Sequence, residues 1–98
     1  MQAGIEVLSK IPPENRREFI QSFKLLPQYE CSDDNCTYQK LFEDVGEMNH
    51  FLWVEHWADK KALDEYLLSN RFKTILGAVE ALGELIHCNK VKVNNIEN

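Results

Sequence analysis

A chain of 98 residues, 44% hydrophobic, 10% aromatic and 28% charged, fits one globular domain and is too apolar to stay disordered. Its net charge of −5, with basic residues scattered in pairs such as Arg16–Arg17 and Lys60–Lys61, argues against a nucleic-acid partner, which would want clustered Lys and Arg. No apolar run approaches the ~20 residues that span a bilayer, and the first residues lack the charged-then-apolar order of a signal peptide, so the expectation is a cytoplasmic protein with no membrane association.

Residues 3–8 alternate, with Ile5 and Val7 on one side and Glu6 and Leu8 on the other, which predicts a strand. Pro12 and Pro13 stop it, and Glu14 follows at a helix start, where proline and an acid are both favoured. Phe19, Ile20, Phe23 and Leu26 then form one helical stripe, closed by Pro27. Residues 28–35 are polar and turn-rich. A second strand is predicted from about Thr37 to Val45, a hairpin turn at Gly46 and Glu47, and a third strand over HFLWVEHWA, residues 50–58.

Asp59 is a good N-cap for the next helix, whose buried face carries Ala62, Leu63, Tyr66 and Leu67. Ser69 and Asn70 interrupt it and cap a continuation with Phe72, Ile75, Leu76, Val79 and Leu82 on one stripe, and Gly83 stops that. The last strand covers Leu85 to Val93. The order β-α-β-β-α-β is the split pattern of a ferredoxin-like α+β fold, an antiparallel sheet with helices on one face, with residues 1–98 as a single domain.

The third strand has apolar residues of both parities: Phe51, Trp53 and Trp57 on one face, Leu52 and Val54 on the other. Right-handed crossovers place the helices on one face only, so the other needs a cover. A second copy, sheet against sheet, is the simplest one, and the chain is expected to be a homodimer rather than to carry a merely sticky patch or a site for another protein. The three cysteines, Cys31, Cys36 and Cys88, are an odd number, which suits a reducing compartment better than a disulfide framework. With a histidine they make a sparse set for zinc, which prefers tighter spacing and a second pair, so no metal is expected.

The stretch FLWVEHWADKKALDEYLLSNRFKTIL resembles the antibiotic biosynthesis monooxygenase (ABM) domain: an apolar strand, Glu55 and Trp57 two apart, an acid-capped helix with Ala62 and Leu63, then Ser69 and Phe72. NRREFIQSF resembles the family's first helix, and Cys36 before Tyr38 stands where such chains often enter the second strand. The likeness spans nearly the whole chain and implies a dimeric α+β barrel. Relatives include cofactor-independent monooxygenases of phenolic or quinol substrates, haem-degrading enzymes and members with no established activity. The haem-degrading branch is matched at Trp57 alone. Its first-strand Asn meets Glu6, Val7 and Leu8, and its second-helix His falls near Leu76, which argues against haem. The phenol-oxidising branch shares Trp57 but would have an Asn near Trp53 and a Tyr near Leu63, with Tyr66 here one turn further on.

A cofactor-free oxygenase relies on a substrate that itself gives an electron to O2, so the protein must hold it dry and remove a phenolic proton. Trp53, Trp57 and Phe72 are the candidate substrate-binding residues. Trp53 reads first as a core or dimer contact, and Trp57 fits either role. The candidate catalytic residues are His56, Trp57, Tyr66 and His87; His56 and a further histidine, His50, share the parity of Leu52 and Val54 and are expected toward the dimer face or its rim. Histidine changes charge near neutrality without special tuning, and Tyr66 would donate to a substrate oxygen. The plainer readings are exposed or structural histidines, a core Tyr66 and a Glu55 that holds a structural hydrogen bond or ion pair. The expected function is a cofactor-independent monooxygenase acting on a small aromatic or quinol-like molecule. The alternative is a non-catalytic dimeric domain that binds a small apolar ligand.

Overall fold

The computed structural model describes residues 2–25 and 35–93. Strand β1 (Gln2–Lys10) leads through a 3-10 turn (Pro13–Asn15) into α1 (Arg16–Leu25). The hairpin β2 (Cys36–Glu43) and β3 (His50–Trp57) follows, then α2 (Lys60–Leu67), α3 (Asn70–Leu82) and β4 (Glu84–Val93). The sheet order is β2-β3-β1-β4 with every neighbour antiparallel, which is the ferredoxin-like arrangement expected from the sequence.

The caps explain why the second helical region is two pieces. Asp59 accepts from the Ala62 amide at 2.8 Å and starts α2. Ser69 accepts from the Phe72 amide at 3.2 Å and donates to the Tyr66 carbonyl at 2.6 Å, so one hydroxyl both closes α2 and opens α3. The hairpin is longer than a turn at Gly46 and Glu47. Asp44 accepts from both of their amides, at 2.7 and 3.1 Å, and Asn49 takes a left-handed backbone (φ 65°) before β3 begins. β2 therefore ends at Glu43, and Val45 is exposed rather than part of the strand. Of the predicted α1 stripe, Phe19 and Phe23 are buried, while Leu26 lies outside the described residues. Cys36 is disulfide-bonded, against the expectation of a chain without bridges, and Cys88 is free. An odd count rules out only a complete pairing, so one bridge is compatible with it.

Strand parity divides the sheet. Ala3, Ile5, Val7 and Ser9 of β1 and Phe51, Trp53, Glu55 and Trp57 of β3 face the helices and are buried. Phe19 and Phe23 of α1, Leu63 and Tyr66 of α2, and Phe72, Ile75 and Val79 of α3 complete that core. On the other face Tyr38 and Phe42 are 38% and 43% exposed, beside Leu8, Leu52 and Val54. No described helix packs against that face. At the helix side, Arg16 forks the Glu43 carboxylate and ties the start of α1 to the end of β2, holding the Glu43 carboxyl below its ordinary range through that hydrogen bond. Among the described residues no helix is long and apolar enough to cross a membrane.

Two glycines in one region make opposite demands. Gly83, between α3 and β4, has an extended backbone, and any Cβ there would run into the Lys10 carbonyl and the Ile11 side chain. Gly77, inside α3, has nothing within 4 Å of a Cβ. Gly83→Ala is expected to lower stability by about 1–3 kcal/mol through overpacking. Gly77→Ala should raise it by about 0.5–1 kcal/mol through lower unfolded-chain entropy and better helix propensity. Urea unfolding of the two variants against wild type checks both signs.

Candidate functional site

The row of β3 side chains under the helices reads Phe51, Trp53, Glu55, Trp57, three aromatics and one acid. Glu55 is 0% exposed. A buried carboxylate is costly unless hydrogen bonds replace its water, and among the described residues three side chains do so. Oε1 accepts from Trp57 Nε1 at 3.1 Å. Oε2 accepts from Gln39 Nε2 at 2.7 Å and from the Tyr66 hydroxyl at 3.1 Å. The donors come from β3, β2 and α2, so one carboxylate joins three elements.

Aromatic rings continue outward from it. Trp57 and Tyr66 stack with centroids 4.4 Å apart and planes 26° from parallel. Tyr66 meets Phe72 at 5.4 Å, Phe72 meets Trp53 at 6.2 Å, and Phe23 stands edge-on to Trp53 at 5.1 Å. Beside the Trp57–Tyr66 stack opens a cavity of about 190 Å³, with Asn35, Glu65, Ser69 and Arg71 among its lining. The walls are thus aromatic and the rim polar, as small-molecule sites are.

A second groove, about 330 Å³, lies between α1 and β2 and is lined by Ile20, Phe23, Lys24, Gln39, Lys40 and Leu41. Among the described residues two side-chain polar atoms are buried without a hydrogen-bond partner, the Trp53 indole Nε1 and the Oε1 of Gln39, which lines this groove. Each such atom costs about 1–3 kcal/mol in a folded chain, which marks the spot as unusual.

Of the residues singled out from the sequence, the fold brings Trp53, Trp57, Tyr66 and Phe72 into this one layer. His56 and His87 do not reach it, because they sit on the opposite face of the sheet. His56 stacks on Tyr38 at 4.9 Å, and His87 Nδ1 lies 3.1 Å from the Asn89 amide nitrogen. Parity is the reason: His56 is one residue from Trp57, and one residue changes the face. His50 is at the hairpin, with Nδ1 3.1 Å from the Met48 carbonyl. The sequence reading gave Glu55 only a structural bond and passed over Gln39. An acid sharing the parity of Trp53 and Trp57 was the available signal, since a buried row can hold it only with donors. Gln39 left no such mark. Its place opposite Glu55 depends on the register shift between Cys36 and Tyr38.

The fold and this layer define a ferredoxin-like α+β domain with a small, aromatic-walled site under its helices. A family model for antibiotic biosynthesis monooxygenase matches residues 4–78, and the chain belongs to that family. It is 34% identical over 59 residues to the protein named "Putative monooxygenase YcnE" of Bacillus subtilis (strain 168). That match covers 60% of this chain and 62% of the relative, less than two thirds of the relative's length. Among solved structures, a conserved protein from Methanosarcina mazei Go1 superposes with a TM-score of 0.83 at 19% identity, over 96% of this chain and 94% of that one. SnoaB, a cofactor-independent oxygenase from Streptomyces nogalater, superposes with a TM-score of 0.80 at 14% identity, over 97% and 95%. At such identities the two structures attest the fold.

Replacing Glu55 by Leu withdraws the acceptor from Gln39, Trp57 and Tyr66 together, whereas Tyr66→Phe removes one donor and leaves the carboxylate its other two. Glu55→Leu is expected to cost about 3 kcal/mol or more and Tyr66→Phe about 1 kcal/mol. Chemical denaturation measures both. A loss near zero for Glu55→Leu would mean that water reaches the donors.

Proposed function

We propose that this protein is a homodimeric, cofactor-independent monooxygenase of a small aromatic or quinol-like substrate. The observation that carries the reading is the stacked Trp57–Tyr66 pair at the wall of a cavity, with both rings hydrogen-bonded to one buried carboxylate. Membership of the ABM family supports it, as does the likeness to a cofactor-independent oxygenase.

The chemistry asks little of the protein beyond binding. A phenolic aromatic conjugated to a CH2 group loses its hydroxyl proton and passes one electron to O2. The resulting radicals combine in a new C–O bond, and cleavage of the O–O bond releases water as the CH2 carbon becomes a carbonyl. One oxygen atom of O2 ends in the product and the other in water, and the substrate supplies all four electrons. Flat aromatic walls hold the ring and exclude water, and the Tyr66–Glu55 phenol–carboxylate pair is the acid–base element at the wall.

Oxygen uptake with a panel of quinols, including phenolic aromatics that carry such a CH2 group, tests this. Wild type is expected to exceed the uncatalysed rate with at least one of them, and Trp57→Phe to be slower by about tenfold, the effect of about 1.4 kcal/mol on the barrier. No uptake above background for any quinol would leave the alternative, a domain that binds a small apolar ligand without turnover.

The homodimer rests on the open sheet face. Leu8, Leu52, Val54, Tyr38 and Phe42 form an apolar band there, and Glu6 and Lys40 put opposite charges on the same surface. A two-fold contact sets a patch against its own copy, so a surface with both signs of charge can complement itself. Each large side chain left in water forgoes roughly 1.5–3 kcal/mol of burial. Sedimentation at micromolar concentration should report twice the 11.5 kDa chain mass, with Leu52→Asp shifted to monomer. A stable 11.5 kDa wild-type particle would overturn the pairing.

A further inference from the structure

We propose that the groove between α2 and β4 binds a short-chain aliphatic carboxylate, with its anionic group between Lys60 and Lys92 and its chain on Ala3, Leu63 and Val91. The inference goes beyond the proposed function and does not depend on it. This groove, of about 360 Å³, shares no lining residue with the Trp57 cavity. It starts from a contrast of charge. The chain carries a net charge of −5, yet among the described residues three lysines, Lys60, Lys90 and Lys92, line this one groove and no acid does.

A single contact sets the geometry. Lys90 Nζ of β4 meets Asp64 Oδ1 of α2 at 3.0 Å, which ties the strand to the helix and neutralises that lysine. Helix α2 starts at the end of the sheet where β3 finishes. Strand β4 finishes at that same end, since Trp57 pairs with Ala3 and Ala3 with Lys92. From the bridge toward that end, Lys60 is one turn back along α2, about 6 Å, and Lys92 is two residues on along β4, about 7 Å. The two steps nearly match, so Lys60 and Lys92 stand on opposite walls at the same end of the groove. Among the described residues neither has an ion-pair partner.

Two cations across a groove repel each other, and an anion between them turns that repulsion into two attractions. The body of the ligand follows from the floor. In the β1 row that faces the helices, Ala3 precedes the larger Ile5 and Val7, and the groove opens over this smallest side chain. Leu63 and Val91 complete an aliphatic floor. The lysine stems extend it up the walls while their ammonium groups stay at the rim. Among the described residues no aromatic ring lines the groove, unlike the Trp57 cavity, and an alkyl chain matches such walls better than a flat ring. The volume is near the lower end of ligand sites, about 300–1,000 Å³, which favours a short chain. Lysines on an edge strand also guard against edge-to-edge pairing, and that role without a ligand is the competing account of Lys90 and Lys92.

The test titrates octanoate and 1-octanol into the full chain. Calorimetry gives the affinities, and the methyl and indole N–H signals of 13C,15N-labelled protein give the location. In about 10 mM salt octanoate is expected to bind about fivefold tighter than the alcohol, the effect of two rim ion pairs. In about 1 M salt, where the screening length falls to about 3 Å, that ratio should approach one. The methyl signals of Ala3, Leu63 and Val91 should move while the Trp57 indole signal stays. Replacing both rim lysines, Lys60→Gln with Lys92→Gln, should remove the preference, and both side chains are exposed, so the fold persists. Ala3→Leu should fill the groove and weaken both probes, and the lysine variant decides the matter if that one does not fold. Equal affinity for the two probes, a preference that survives the lysine replacements, or movement of the Trp57 indole in place of the groove methyls would overturn the site. So would the absence of binding, which would leave Lys90 and Lys92 as guards of the β4 edge.

Discussion

A carboxylate with no solvent exposure constrains everything around it, and in this fold that group is Glu55. Removing an ionisable group from water is tolerable only where other dipoles take the water's place. Among the described residues these dipoles belong to Gln39, Trp57 and Tyr66, which lie on β2, β3 and α2. The hydrogen bonds therefore set more than the carboxylate. They bring α2 close enough to the sheet for Tyr66 to stack on Trp57, and they fix which side of the Gln39 amide faces away. The cavity, the aromatic stack and the unpaired amide oxygen all follow from satisfying one buried charge-bearing group.

The same strand presents a second apolar surface on its other face. β3 is apolar at both parities, and the alternation that sends Trp53, Glu55 and Trp57 under the helices sends Leu52, Val54 and His56 to the open side. A site enclosed on the helix side can thus coexist with an interface on the other, and the two are separated by one layer of backbone. His56 belongs to the second surface, stacked on Tyr38, although it is the chain neighbour of two residues of the first.

Sequence reading recovered what local chemistry encodes. The caps at Asp59 and Ser69 are single-residue signals with a fixed hydrogen-bond partner three positions on, and both appear as read. The two-sided character of β3 was also legible, because parity needs no knowledge of neighbouring strands. The hairpin was misjudged at Val45, where apolar character suggested strand, but the Asp44 side chain already satisfies the following amides and turns the chain away. The site was half legible. Trp57 and Tyr66 stood out as aromatics, and Glu55 was legible as the holder of a structural hydrogen bond, but its partners were not. Its three donors are 16, 2 and 11 residues away in sequence, so only the folded register assembles them.

The departure at Trp53 changes which polar groups this strand carries. The phenol-oxidising branch that this chain resembles would have an Asn near this position, and a side-chain amide offers a donor and an acceptor on one residue. An indole keeps the donor, adds apolar area and has no acceptor. The missing half sits on the adjacent strand, in the Gln39 amide whose NH2 is already committed to Glu55. Donor and acceptor are then held by different strands, and the spacing between them is set by sheet register instead of by one rotamer. The acceptor is linked through the Gln39 amide to the carboxylate that holds Trp57 and Tyr66. The orientation of the Gln39 amide and the order of the aromatic stack are in this arrangement consequences of the same hydrogen-bonded carboxylate.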